Sequence, residues 1–139
     1  MQTSHVVQTH YTDGMSFESV INNHSIILDI DEAGGGSDKG PTPKPLILSA
    51  LGGCTGIDVV SILNKMHVPY SNFTIIVNGT LSDEHPKVYT HIHIKYVISL
   101  NSADQEKMMK AVNLSLDKYC GVSAMLKKVC PVTSEIIYR

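Results

Sequence analysis

The chain has no surplus of charge of either sign: charged residues make up 17% and the formal net charge at pH 7 is −2. With a pI near 6.4 there is no electrostatic basis for nucleic acid or an anionic membrane as a partner. The N-terminal MQTSHVVQTH has neither a basic segment nor a long apolar one, so it does not read as a secretory leader. No apolar run approaches the length of a membrane span. The three cysteines, Cys54, Cys120 and Cys130, have no zinc-finger spacing and no even-numbered framework. That pattern points to free thiols in a reducing compartment, the cytoplasm by default. There is no internal repeat and no tail of like charges. GGGSDKG (residues 34–40) lacks the Gly-Lys-Ser/Thr ending of a phosphate loop, and no serine sits in a nucleophile-elbow pentad.

What is present reads as one domain over residues 1–139, with 42% hydrophobic content and room for a real core. SHVVQTHYT, MSFESVI and HSIILDI are β-rich, and Asp13-Gly14 and Asn22-Asn23 between them tolerate positive φ, so an antiparallel meander is expected. DEAGGGSDKGPTPKP is a surface loop. From Pro43 to about Met66, with Thr42 as N-cap, the apolar residues leave almost no polar face, which predicts a long buried central helix. FTIIVNGTL and THIHIKYVISL form a second hairpin. Ala103 to Lys118 reads as an amphipathic helix with Met108, Val112, Ser115 and Tyr119 on its apolar stripe. A break at YCGVS precedes a second helical run from about Ser123 to Cys130-Pro131, and VTSEIIY closes the chain. The order βββ-α-ββ-αα-β is that of an α+β domain.

Inside the central helix, SALGGCTGID (Ser49 to Asp58) places Gly52, Gly53 and Gly56 around Cys54. Each glycine costs a helix roughly 0.5–1 kcal/mol relative to alanine. Close approach of a partner backbone, and clear space around Cys54, would offset that cost. Cys120 lies just before a helix begins, where amide donors favour a thiolate. Both cysteines also fit as small buried hydrophobes, and Cys130 reads as structural. His91 and His93 share one face of a strand, with Asp83, Glu84 and His85 in the preceding loop. They lack a third ligand at a recognised spacing, so no metal and no cofactor are assigned.

PKPLILSALGGCTGIDVVSIL (residues 43–63) and KAVNLSLDKYCGVSAML (residues 110–126) resemble the two cysteine motifs of the OsmC/Ohr family, the osmotically inducible and organic hydroperoxide resistance proteins. The order of strands and helices agrees over nearly the whole chain. The resemblance implies an OsmC-like fold and an intertwined homodimer with packed central helices. It also implies a thiol peroxidase of the oxidative stress response, in which Cys54 attacks an organic hydroperoxide, becomes a sulfenic acid and forms a disulfide with Cys120. A dithiol, such as a lipoyl group, would restore the pair. Two departures bear on activity. Lys44 stands where the family places an activating glutamate, and the chain's only arginine is Arg139, its last residue. Lys39, Lys44 or a histidine would have to supply the cation, without the planar fork of arginine. The alternative expectation is a catalytically weak relative that binds a small apolar ligand or senses thiol redox state.

Overall fold

A computed structural model describes residues 3–139, which form two compact units, one ending at Ile47 and the other Leu48–Arg139. The first is a three-stranded antiparallel meander of β1 (Gln8–Asp13), β2 (Ser16–Ile21) and β3 (His24–Leu28). Its turns are the expected ones. Gly14, Asn22 and Asn23 all take positive φ, the conformation that glycine and asparagine reach most easily. Tyr11 pairs with Phe17 across β1 and β2, their rings edge to face at 5.4 Å. The glycine-rich segment after β3 is irregular and wraps a buried carboxylate. Asp29 accepts backbone N–H bonds from Ile30, Ser37 and Lys39 at 2.8, 3.3 and 3.1 Å. A β-carbon on Gly40 would meet the Ile27 carbonyl oxygen at 2.0 Å, so the loop closes only around glycine there.

Helix α1 runs Pro45–Lys65, with Pro43 and Lys44 forming a turn before it rather than its first residues. Proline at the first helical position is tolerated because its missing N–H would have had no partner. The helix is not buried all round, as its composition suggests. Leu51, Thr55, Val59 and Leu63, spaced four apart, are its buried stripe, while Ile57 is 73% exposed. By length and composition α1 also reaches the size of a membrane span, contrary to the expectation that no apolar run comes near it. The buried stripe, with a hydrogen-bonded threonine at its centre, marks it as the helix of a folded core. Gly56 explains part of the glycine run. A β-carbon there would lie 2.9 Å from Ile75 Cδ1, whereas one on Gly53 would touch nothing within 4 Å.

β4 (Ser71–Leu81) and β5 (Tyr89–Ser99) are antiparallel, and β6 (Val132–Tyr138) joins β5 in parallel. Along β5 the period of two turns Ile92, Ile94, Tyr96 and Ile98 inward and leaves His91, His93 and Lys95 on the other face. The expected amphipathic helix is three pieces: a 3-10 turn (Ser102–Asp104), α2 (Gln105–Leu114) and a π-helical turn (Ser115–Tyr119). Met108, Val112 and Ser115 are buried as expected, but Tyr119 is 54% exposed, because the wider π turn shifts the phase of the stripe. α3 (Gly121–Leu126) starts two residues earlier and ends sooner than its apolar pattern suggests. The result is an α+β fold with two small sheets and three α-helices.

Candidate active site

Cys54 and Asp58 are one helical turn apart on α1 and so share a face. Cys120 reaches that face from the break after the π turn. Its backbone N–H closes that turn on the Ser115 carbonyl at 2.7 Å, and it serves as the N-cap of α3. The Cys120 sulfur accepts the Ser123 N–H at 3.3 Å, and the Ser123 hydroxyl returns a bond to the Cys120 carbonyl at 3.0 Å. The outcome is a cluster of three ligand-type atoms, the sulfurs of Cys54 and Cys120 and a carboxylate oxygen of Asp58, all within 4.8 Å of one another. All three cysteines are free thiols. Cys54 is half-buried and Cys120 is 2% exposed.

A chain of hydroxyls fixes the carboxylate. Ser115 Oγ donates to Asp58 Oδ2 at 2.9 Å. Since that hydroxyl has one proton, it must accept from Thr55 Oγ1 at 2.7 Å, and Thr55 in turn accepts from the Tyr96 phenol at 2.7 Å. The direction is therefore Tyr96 to Thr55 to Ser115 to Asp58, and no buried side-chain polar atom among the described residues lacks a partner. Burial pushes the Tyr96 pKa up to about 12, which keeps the phenol in its donor form. Burial also pushes the Cys120 thiol up, as does the neighbouring Cys54, and this outweighs the Ser123 amide that favours the thiolate. The N-terminal position expected to acidify Cys120 is real, but desolvation wins there.

Thr55, Tyr96 and Ser115 went unassigned as site residues, and so did Asp58. A carboxylate and a threonine in the middle of an otherwise apolar helix were the available signal. The other sequence candidates lie elsewhere. Cys130 is buried outside the cluster, where its N–H bonds the Leu126 carbonyl. His91 and His93 bracket the Thr133 hydroxyl at 2.9 and 2.7 Å, and His93 pairs with Glu135 at 3.2 Å. Asp83, Glu84 and His85 do not join them in a three-ligand group among the described residues. Lys39 is engaged by Asp13 at 2.9 Å, and among the described residues no ion pair reaches Asp58. The glycine loop spends two of its amide donors, those of Ser37 and Lys39, on Asp29, which is the opposite of a phosphate cradle.

Comparison with known proteins places this geometry in context. The Escherichia coli (strain K12) protein YhfA is 34% identical over 125 residues, covering 88% of this chain and 90% of YhfA. A hypothetical protein from Aquifex aeolicus VF5, solved by crystallography, superposes with a TM-score of 0.81 at 29% identity and covers 99% of each chain. A Legionella pneumophila organic hydroperoxide resistance protein OsmC shares the fold at a TM-score of 0.68 and 12% identity, covering 99% of this chain and 98% of its own. The family model for OsmC-like proteins matches residues 35–135, a span that contains both cysteine motifs, and the chain belongs to the OsmC-like protein family.

Proposed function

We propose that the chain is a cytoplasmic, thiol-dependent peroxidase that reduces small organic hydroperoxides. The observation that carries this reading is the meeting of two free thiols, 66 residues apart in sequence, within 4.8 Å. Cys54 is the more accessible sulfur and the attacking one. Its thiolate bonds to a peroxide oxygen, the O–O bond breaks, and the alkoxide leaves as the alcohol after taking a proton. The resulting Cys54 sulfenic acid condenses with Cys120, whose raised pKa keeps its proton available until hydroxide departs as water. Side-chain rotation must then bring the sulfurs to about 2.05 Å. A dithiol reductant restores both thiols and leaves as its own disulfide.

The working unit is a homodimer. The exposed side of α1, with Ile57 73% exposed, and Tyr11 and Phe17 on the first sheet are the apolar surfaces a second copy would cover. The reading is tested by adding cumene hydroperoxide to the reduced protein while counting thiols. Two thiols should be lost per equivalent consumed, Cys54→Ser should stop the loss, and Cys130→Ser should leave it intact. Retention of all three thiols through many equivalents would sink it.

A second reading rests on Asp58. It lies beside both thiols with no cation paired to it among the described residues, while burial and the neighbouring Cys54 push the Cys120 thiol up. That supports a slow redox sensor or a binder of a small apolar ligand. Oxidation of Cys54 without turnover, together with an apolar compound retained in native mass spectrometry, would favour it.

A further inference from the structure

The geometry points to Cys54, Asp58 and Cys120 as a binding site for one thiophilic divalent cation of the Zn2+ type. Three atoms mutually within 4.8 Å necessarily have a point within about 2.8 Å of all of them, against coordination distances of about 2.0–2.3 Å for such an ion. Small side-chain rotations close that gap. Two sulfurs and one carboxylate oxygen leave a fourth tetrahedral position for water or an incoming ligand, the pattern of an open zinc site.

Three features of the surroundings favour an ion there. Cys54 and Asp58 stand at i and i+4 on one helix face, the spacing by which helical zinc motifs present two ligands to one metal. The Asp58 carboxylate is oriented by Ser115 at the end of a hydroxyl chain anchored on the buried Tyr96, as hydrogen-bonded carboxylate ligands commonly are. Finally, the cluster combines a carboxylate with two latent thiolates, while no cationic side chain among the described residues pairs with Asp58. A divalent ion supplies the missing positive charge. On binding, both thiols release a proton to solvent, so the carboxylate, two thiolates and the ion leave the site with one net negative charge. Nothing is oxidised, and with the ion in place neither sulfur is free to attack a peroxide.

The experiment is a Zn2+ titration of the reduced full chain against a chromophoric chelator, repeated with Co2+. The expected result is one ion per chain at micromolar metal, about two protons released per ion, and a thiolate-to-cobalt absorption band. Cys54→Ser and Cys120→Ser should lose that band. The near-isosteric Asp58→Asn should weaken binding about tenfold or more, and Cys130→Ser should bind like the parent. A readout without any substitution is mass mapping of iodoacetamide labelling, in which Zn2+ should shield Cys54. The site is refuted by no saturable binding at micromolar Zn2+, by equal labelling of Cys54 with and without the ion, or by parental affinity in Asp58→Asn. No peroxide enters the titration, so its outcome is separate from that of the peroxidase reading.

Discussion

Asp29 is a buried carboxylate whose partners are almost all backbone. The Lys39 amide first, then the Ile30 amide, hold its pKa below the ordinary carboxylate value, with burial working against them. A depressed folded-state pKa means that this stabilisation is fully present above the unfolded value near 3.8 and is lost as pH falls through the folded one. Asp29→Asn should therefore flatten the acid limb of the stability–pH curve, measured by urea unfolding from neutral pH down to pH about 3. A parental slope in the variant would show that other carboxylates govern that limb. The hydroxyl chain near the site makes a second claim. Thr55→Val takes the acceptor from the buried Tyr96 phenol and should cost about 1–3 kcal/mol, the penalty of an orphaned buried donor. Tyr96→Phe at the head of the chain strands only a lone pair on Thr55 and should cost less. Equal costs in denaturant titrations would overturn the assigned direction.

Among the elements, α1 carries most of what the sequence made visible and most of what it hid. Its existence and approximate limits, the Cys54 motif and the break that delivers Cys120 all follow from periodicity, proline and glycine. The one-sided burial did not, because Ile57 and Leu51 are equally apolar and nothing local says which faces a strand. The π turn was hidden for a related reason. One extra residue in a turn leaves composition unchanged and alters only the phase, so Tyr119 left the stripe and Cys120 came round to Cys54. Nor could periodicity reveal that Ser115, an ordinary buried serine by pattern, joins Thr55 to Asp58. The glycines divide in the same way. Gly56 faces Ile75 Cδ1, so Gly56→Ala must displace that methyl, while Ile75→Val removes it. The two substitutions should be coupled favourably by at least about 0.5 kcal/mol in a double-mutant cycle of urea unfolding energies. Strict additivity would mean that Ile75 swings aside freely and that Gly56 has another reason to be small.

At the scale of the whole molecule the unresolved balance is between apolar surface and solubility. A helix long and apolar enough to cross a membrane carries a fully buried stripe, a hydrogen-bonded threonine and Asp58, features of a packed core rather than of a lipid-facing span. Yet Ile57 in that helix is 73% exposed in the single chain, and Val6 and Tyr11 are 80% and 63% exposed. Surfaces of this kind call for a cover, and a second copy is the cover that needs no other molecule. Ile57→Glu places a charge on the open side of α1, pointing away from the buried stripe and leaving the hydroxyl chain untouched. If two copies associate through this side, the parent should sediment as a dimer and Ile57→Glu as a monomer with retained circular dichroism. Gly53→Leu, where an added β-carbon meets nothing within 4 Å, should shift the equilibrium the same way. A parent that sediments as a monomer, or an Ile57→Glu variant that remains fully dimeric, would remove α1 from the interface. The exposed apolar side chains of the first unit would then need a different partner.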